Sequence, residues 1–328
     1  MYMQSTFKEE GKRWGKEFKD KRDWKQYNEQ LVIRGEFYLD LSFMGGWNDE
    51  LVNANRSKKG GQFKFPASMM KWLTVWKQLV DYRGLEGITR KLFYMHLIPR
   101  YPDFSTVWTR IHSSEPEISL PQFNETEIAT DGTGLKTKNA GEYRIMKYGD
   151  PDAKRKKHLV VVITAEVKHK KLLCVEVRIE GKGYTEASIA LQHISSITEK
   201  GITIKRFYGD GAYDQSSMFN KLHSIGAKPV VKIRKNASAD WYKKGSKHRN
   251  REVREYKNLG YERWSSLNHY GMRWPGTEGI FSAVKRKFGE NTVSRSEEGL
   301  LAEGYQRFWA YDEIKEYGEK HSSDPANM

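Results

Sequence analysis

The run His158-Leu-Val-Val-Val-Ile-Thr-Ala-Glu-Val167 decides the fold, because it is apolar and rich in β-branched residues. Lys168-His-Lys-Lys171 follows it as a polar turn. Leu172-Leu-Cys-Val-Glu-Val-Arg-Ile179 then returns as a second run of the same kind. Two such runs on either side of a short turn predict a β-hairpin over residues 158–180.

Strand and helix patterns continue on both sides of this hairpin. Residues 128–131, before it, have the pattern of a strand. After it the chain predicts a helix over 184–197, a strand over 202–210, a helix over 216–225 and a strand over 229–233. A hairpin followed by β-α-β crossovers indicates an α/β fold, in which a mixed sheet carries helices on its faces.

The first 120 residues predict helices. Aromatic residues at roughly helical spacing indicate an amphipathic helix within residues 1–30. Further helices are expected over 66–82, 88–95 and 104–111, the last of them capped by Ser105. Two short helices across a tight break resemble a helix-turn-helix, but any small helical domain gives this pattern, so DNA reading and simple packing both stay open.

A proline-containing stretch over 114–126 indicates a linker, and we place the domain boundary there. The expected organisation is a helical N-terminal domain for DNA binding or dimerisation over 1–120, a catalytic domain over 121–318 and a flexible tail over 319–328.

Composition points to a polyanionic partner. The chain of 328 residues has a formal net charge of +15, which favours nucleic acid over the alternative of a merely soluble basic protein. No apolar stretch of roughly 18 residues and no signal peptide is visible, so we expect a soluble cytosolic protein without a membrane span. Cys174, the single cysteine, excludes an internal disulfide and a multi-cysteine zinc site.

Residues 232–257 concentrate this positive charge around Trp241 and Tyr242. A solvated surface loop is one reading of such a stretch, but aromatic residues among basic ones favour a segment that follows a phosphate backbone. The basic residues are Lys232, Arg234, Lys235, Lys243, Lys244, Lys247, Arg249, Arg251, Arg254 and Lys257. The expected DNA contacts are Lys243, Lys244, Lys247, Arg249 and Arg251.

Three acidic residues are the candidate catalytic groups. Asp131 ends the strand pattern in Glu127-Ile-Ala-Thr-Asp131-Gly-Thr-Gly134, and Asp210 ends the strand pattern over 202–210. Glu278 opens the helical pattern Thr277-Glu278-Gly-Ile-Phe-Ser-Ala-Val-Lys285. Carboxylates are the hard oxygen ligands that Mg²⁺ prefers, and a pair of such ions suits phosphodiester chemistry.

Each acidic residue also has a plain structural interpretation. Asp131-Gly132 is a common turn pair, and Glu278 is an acid favoured by the helix dipole at an N-terminus. Lys285 and Arg286, further along the same helix, could belong to a solvated face. No Gly-x4-Gly-Lys-Ser/Thr motif occurs, so no nucleotide cofactor is expected, and no Gly-x-Ser-x-Gly motif points to a serine nucleophile.

The third acidic residue lies in a more specific block. Tyr270-Gly-Met-Arg273-Trp-Pro-Gly-Thr-Glu278, extended to Lys285, resembles the Tyr, Arg, Glu, Lys signature of the DDE transposases of bacterial and archaeal insertion sequences. The spacing from Arg273 to Glu278 is one residue longer than the commonest one. With Asp131 and Asp210, the resemblance spans roughly residues 125–310.

This resemblance implies an RNase H-like fold in which Asp131, Asp210 and Glu278 are catalytic and bind two Mg²⁺ ions, which Mn²⁺ can replace. It implies DNA contacts by Tyr270, Arg273 and Lys285, to which we add the neighbouring Arg286. The implied function is a DNA transposase that cleaves transposon ends and joins the 3′-hydroxyl to target DNA. A homodimer on double-stranded DNA, in a prokaryotic cytoplasm and associated with the nucleoid, is implied as well.

Two rival functions remain compatible with the residues. An RNase H-like nuclease or resolvase would hydrolyse DNA without joining it. A non-catalytic DNA-binding protein derived from a transposase would not need the three carboxylates.

Overall fold

The structure is a computed structural model, and it describes residues 23–113, 116–120, 124–137, 158–181, 183–239 and 246–322. Before them, only the backbone of two short strands is described, β1 (Lys12–Arg13) and β2 (Lys16–Glu17), which pair antiparallel. Lys243, Lys244, Trp241 and Tyr242 lie outside the described residues.

Six strands in the described part of the chain form one mixed sheet. They are β3 (Glu125–Thr137), β4 (His158–Glu166), β5 (Leu172–Ile179), β6 (Thr203–Gly209), β7 (Lys228–Val231) and β8 (Asn291–Thr292). Their order across the sheet is β5-β4-β3-β6-β7, with β8 added on β3. The first three strands are antiparallel, and β6 and β7 continue the sheet in parallel. The predicted hairpin and the mixed sheet flanked by helices are confirmed.

Helices precede the sheet and cover it. Before β3 come α1 (Trp24–Glu36), α2 (Trp47–Asn55), α3 (Ala67–Lys77), α4 (Tyr82–Tyr94) and α5 (Phe104–His112). After β5 come α6 (Glu186–Glu199), α7 (Ser216–Ser224), α8 (Lys247–Leu267), α9 (Arg273–Gly276), α10 (Glu278–Phe288) and α11 (Glu297–His321). None of these described helices is long and apolar enough to cross a lipid bilayer.

The N-terminal helices differ from the prediction at their starts. The side chain of Asp23 accepts hydrogen bonds from the next backbone N–H groups, so α1 begins at Trp24. Earlier in the range 1–30, for which a helix is predicted, the described residues form β1 and β2. Asp81 caps α4 as Asp23 caps α1, by accepting from the Gly84 N–H. The residues between the predicted helices 66–82 and 88–95 therefore lie inside α4. Asp103, and not Ser105, caps α5.

The sheet has an apolar cluster on each face because adjacent strand residues point to opposite sides. Ile128 and Phe207 belong to the cluster on the face covered by α6 and α7. Ala129 and Tyr208, each one residue further along, belong to the cluster that contains Trp264. The two faces are therefore covered by different helices.

Two compact units divide the chain. One comprises Leu41–Glu313 and contains the sheet, and the other comprises Met1–Asp40 with Ile314–Met328. The functional division at residues 120 and 318 stays a prediction.

Candidate active site

The register of two parallel strands brings Asp131 and Asp210 to one edge of the sheet. β3 and β6 pair in parallel up to the partners Ala129 and Tyr208. Asp131 lies two residues after Ala129, and Asp210 lies two residues after Tyr208. Neighbouring strands in a sheet are about 4.8 Å apart. The prediction that Asp131 ends its strand is wrong, because β3 continues to Thr137 and pairs with β4 there.

The carboxylate of Asp131 is held by an arginine from the C-terminal third of the chain. Nη1 of Arg273 donates to Oδ2 of Asp131 at 3.0 Å, and the Gly132 N–H donates to Oδ1 at 3.0 Å. The side chain of Asp131 is only 13% exposed. Burial raises the pKa of Asp131 to about 6, although Arg273 and the Gly132 N–H lower it. The negative charges of Asp210 and Glu278 raise the same pKa further, so both act on Asp131.

Asp210 leaves β6 at a tight turn. It caps the single-turn helix Gly211–Tyr213, with Oδ1 accepting from the Ala212 N–H at 2.8 Å. A Cβ atom added to Gly209 would lie 2.8 Å from the ring of Tyr213, so only glycine fits directly before Asp210. This close packing fixes the direction in which the chain carries Asp210 out of the sheet.

Glu278 is the exposed first residue of α10, and its helix is tied to the strand of Asp131. β8, directly after α10, pairs in parallel with β3 at Lys136 and Thr137. Arg307 of α11, which is buried, donates to the carbonyl oxygens of Gly289 and Asn291 at 2.9 and 2.6 Å. These bonds join α11 to the connection between α10 and β8.

Two buried polar atoms near the carboxylates have no hydrogen-bond partner among the described residues. They are the hydroxyl of Tyr213, a residue with 0% exposure, and Nε of Arg273, a residue with 7% exposure. The charges of Asp131, Asp210 and Arg273 all act on Tyr213, whose pKa burial raises. Unpaired buried donors are costly, which is consistent with a site that holds a ligand when it works.

The carboxylate oxygens of the three acidic candidates suit a hard cation, but these side chains do not surround a common metal position. Within the described residues, no three His, Cys, Asp or Glu side chains are grouped so as to hold a metal ion. Asp131 is paired instead with the guanidinium of Arg273. Carboxylate oxygens are nevertheless the ligands that Mg²⁺ and Mn²⁺ accept.

The same residues lie inside a family match. The family described as Transposase DDE domain matches residues 122–312, which is more than half of the chain and includes all three acidic candidates. The chain belongs to the DDE transposase family. A second family of the same description matches residues 32–140. The protein therefore has the function of a DNA transposase, an enzyme that cleaves and transfers DNA.

Solved structures of transposases are similar to this one at low identity. The piggyBac transposase synaptic complex with hairpin DNA shares 10% identity, with 89% of this chain and 75% of that chain covered and a TM-score of 0.40. The pre-cleavage Mos1 transpososome shares 11% identity over 91% and 97%, with a TM-score of 0.22. The Mos1 mariner paired end complex with Mn shares 10% over 90% and 96%, with a TM-score of 0.24.

The transposase signature residues take different positions around the acidic edge. Tyr270 is buried, packs 5.2 Å from Trp264 between ring centroids and donates from its hydroxyl to the Gly209 carbonyl at 3.3 Å. It thus contacts the backbone directly before Asp210. Lys285 is half-buried and Arg286 is exposed on α10. Of the signature, Arg273 alone pairs with an acidic candidate among the described residues.

In the basic segment over residues 232–257, some of the described side chains are exposed to solvent and others are bonded within the fold. Lys247 and Arg251 are exposed on α8, where Arg251 pairs with its neighbour Glu252 at 3.2 Å. Arg249 instead donates to both carboxylate oxygens of the fully buried Asp214 side chain, at 2.6 and 3.0 Å. Its charge is already matched within the fold, so its contact with DNA stays a prediction.

Sequence reasoning missed a fourth carboxylate in this transposase, that of Glu186. Burial raises its pKa, and the charges of Asp131 and Asp210 raise it further. Glu186 follows Thr185 at the start of α6, where an acid is ordinary, so its local pattern carries no signal. The sequence signal that could have pointed to Glu186 was Gly132, because this glycine lies inside a strand and not in a turn. A Cβ atom added to Gly132 would be 2.5 Å from Oε1 of Glu186.

Proposed function

We propose that this transposase cuts DNA at the ends of a mobile element and joins the freed 3′-hydroxyl to target DNA in a metal-dependent reaction. The observation that supports the proposal is the common edge of Asp131 and Asp210, set by the parallel register of β3 and β6. The negative charge of Glu278, which raises the pKa of Asp131, supports the inclusion of Glu278 as the third carboxylate.

Asp131, Asp210 and Glu278 would hold two Mg²⁺ or Mn²⁺ ions. When bound, such ions neutralise phosphate charge and activate the attacking and leaving oxygens. The charges of Asp210 and Glu278 raise the pKa of Asp131, and a bound cation would relieve this repulsion between carboxylates. Arg273 keeps the Asp131 carboxylate in place and has an Nε donor left for a phosphate oxygen.

The two steps balance without an energy source. In the first, water attacks the phosphorus atom at the element end, the bond from phosphorus to the 3′-oxygen breaks, and the oxygen leaves as a 3′-hydroxyl. In the second, this hydroxyl attacks a phosphodiester of the target, so one such bond forms for each one broken. The lack of a phosphate-binding loop motif agrees with a reaction that uses no nucleotide.

DNA would lie along the exposed basic residues. Lys247 and Arg251 on α8 and Arg286 on α10 present charges to solvent, and Lys285 lies two turns beyond Glu278 on the same helix. Lys243 and Lys244 extend the same segment in sequence. Because an element has two ends that must be brought together, we propose that a homodimer binds them.

Conservative substitution of each acid tests the catalytic assignment. Asp131→Asn, Asp210→Asn and Glu278→Gln remove a charged ligand and keep the side-chain shape. Each is expected to lower the rate of Mg²⁺-dependent cleavage of an end oligonucleotide on the order of a thousandfold or more. Binding of the same oligonucleotide, measured by fluorescence anisotropy, is expected to stay within a few-fold of the unsubstituted protein.

Glu180→Gln, at an exposed position after β5, is the matched control and should cleave normally. A variant at one of the three positions that keeps its full rate removes that residue from the proposal. Strand transfer with a pre-cut 3′-hydroxyl end separates a transposase from a nuclease, since a nuclease hydrolyses the end and forms no joined product.

A further inference from the structure

Tyr270 packs on the face of the sheet to which both candidate aspartates point. It belongs to the apolar cluster that contains Ala129 of β3 and Tyr208 of β6. Asp131 and Asp210 each come two residues after one of these, and the backbone of Asp210 is still extended. Strand side chains at this spacing point to the same face. Tyr270 thus shares a cluster with the residue that precedes each acid on this face.

The hydroxyl of Tyr270 reaches the backbone next to Asp210. It donates to the carbonyl oxygen of Gly209 at 3.3 Å, and the Lys232 N–H donates to the same oxygen at 3.2 Å. A carbonyl oxygen accepts two hydrogen bonds, so both of its lone pairs are used here. Because a peptide group is planar, fixing this carbonyl also fixes the nitrogen atom of Asp210.

The ring of Tyr270 faces the arginine that holds Asp131. Tyr270 opens the single helical turn Tyr270–Met272, and Arg273 begins α9 directly after it. Residues three apart in such a turn lie on the same side. The guanidinium of Arg273 is 5.6 Å from the centroid of the Tyr270 ring, within the range of a cation–π interaction, and its Nη1 donates to Asp131 at 3.0 Å.

Tyr270 offers little surface to a ligand. Only 4% of the residue is exposed, because Trp264 packs against it with the ring centroids 5.2 Å apart. Burial raises the pKa of Tyr270, so its hydroxyl stays protonated and remains a donor to Gly209. The side chain is therefore bonded within the fold at both its ring and its hydroxyl.

We propose that Tyr270 is a positioning residue for both aspartates, acting on Asp210 through the Gly209 carbonyl and on Asp131 through Arg273. This inference rests on the proposed catalytic role of the two aspartates. Because one side chain contacts both supports, it holds the two carboxylates in a fixed relation to each other. This role needs no contact between Tyr270 and DNA, which is what the transposase signature implies for this residue.

Tyr270→Phe tests the hydroxyl bond, because it keeps the ring and removes only the donor to Gly209. The single-turnover rate of Mg²⁺-dependent cleavage of an end duplex, at saturating protein, is expected to fall about tenfold or more, since small displacements of reacting groups are costly to rate. The Kd for the same duplex, measured by fluorescence anisotropy, is expected to stay unchanged.

Tyr208→Phe is the matched control within the same cluster. It also loses one buried hydroxyl bond, to Oε2 of Glu127 at 2.9 Å, but that bond supports neither aspartate. Both phenylalanine variants are expected to have lower melting temperatures than the unsubstituted protein. Only Tyr270→Phe should cleave slowly, and an equal loss of rate in Tyr208→Phe would overturn the proposal by showing a general effect of destabilisation.

Tyr270→Leu tests the contact with Arg273, because it removes the ring as well as the hydroxyl. Its cleavage rate should be lower than that of Tyr270→Phe. In urea unfolding, combining Tyr270→Leu with Arg273→Ala should shift the midpoint by less than the sum of the two single shifts, because residues in contact are coupled. Additive shifts would remove the link from Tyr270 to Asp131.

A weaker Kd of Tyr270→Phe with a normal rate at saturating protein would make Tyr270 a DNA contact and overturn the proposal. A normal Kd and a normal rate would overturn it as well. The proposed function is tested separately by Asp131→Asn and Asp210→Asn. If these variants are inactive while Tyr270→Phe is fully active, only the positioning role fails, and if they cleave at the full rate, the proposed catalytic assignment fails.

Discussion

His193 shows how a single buried side chain makes this fold sensitive to acid. The residue is 6% exposed on α6, and its Nδ1 forms a hydrogen bond with the hydroxyl of Thr164 at 2.9 Å. Thr164 in turn bonds Thr130 on the neighbouring strand at 2.8 Å. Burial lowers the pKa of His193 from 6.5 to about 4. The folded protein therefore keeps this imidazole neutral under conditions in which the unfolded chain protonates it.

The contribution of His193 to the free energy of unfolding should consequently fall as the pH is lowered. The His193 contribution is fully present above pH 6.5 and is lost as the pH falls toward about 4. Between pH 7 and pH 5 the loss amounts to about 2 kcal/mol. Urea unfolding at both pH values should show that His193→Gln removes this difference. His223→Gln, a change at an exposed histidine, should retain it, and equal pH dependence in both variants would contradict the assignment.

Arg273 should be more important for stability than a surface arginine. Its ion pair with Asp131 is largely buried, with 9% and 13% exposure for the two side chains. Arg273→Ala leaves that carboxylate unpaired and is expected to cost about 3 kcal/mol in urea unfolding without metal. Mn²⁺ should recover part of the loss, because a cation replaces the missing positive charge. A loss under about 1 kcal/mol would mean that Asp131 is solvated instead.

At this residue scale, the sequence predicted the individual acids but not their surroundings. Asp210 follows β6 and Glu278 begins α10, as the patterns predict, whereas Asp131 lies within β3 and not at its end. The bond from Arg273 to Asp131 joins residues 142 positions apart, and no local pattern carries that information. Glu186 was missed for the same reason, since its relation to Gly132 exists only after the sheet and α6 have packed.

Among the elements, α8 contains a break that its sequence hardly suggests. Gly260 has φ 71° and ψ 161°, and this non-helical conformation divides α8 into a basic first part and a second part that carries Trp264. Trp264 packs against Tyr270. Because an L-amino acid is strained at this φ, Gly260→Ala is expected to lower the free energy of unfolding by about 1–2 kcal/mol. Near-ultraviolet circular dichroism should report the displaced indole.

Gly87→Ala is the matched control for this change. Gly87 lies within α4, has no positive φ, and a Cβ atom there meets nothing within 4 Å. Alanine is the better helix former, so the same substitution should stabilise α4 by about 0.5–1 kcal/mol. The prediction for Gly260 fails if both alanine variants are stabilised.

The elements of the sheet were more predictable than the helix ends. Apolar, β-branched runs specify strands through their own composition, and the hairpin over 158–180 needed nothing else. The extent of β3 could not be read, because Gly132 and Gly134 resemble turn residues and are paired within the strand. Helix starts depended on which of several nearby polar residues turned its side chain to the backbone, as with Asp103 and Ser105.

On the scale of the whole molecule, the net charge of +15 should make DNA binding strongly dependent on salt. Each phosphate contact contributes about 0.9 to the slope of log K against log salt concentration. Lys247→Gln and Arg251→Gln, at exposed positions on α8, are each expected to reduce the slope by about that amount in anisotropy titrations. Lys205→Gln, an exposed change on β6, should leave the slope unaltered.

Arg249 should behave differently from its two neighbours on α8. Its guanidinium satisfies the buried carboxylate of Asp214, so Arg249→Gln is expected to destabilise the protein before it affects the salt slope. Equal effects of all three substitutions on binding alone would instead place Arg249 on the DNA surface.

Two of the strands that pair with β3, β6 and β8, limit the insertions and deletions that β3 can tolerate. β6 pairs with this strand as far as Ala129, and β8 pairs with it from Lys136 onward. Because successive side chains alternate between faces, losing or gaining one residue in the intervening stretch would put the two ladders out of phase. Glu278, tied through β8, would then be displaced from Asp131 and Asp210 even though no acidic residue had changed. The length of this stretch therefore cannot vary.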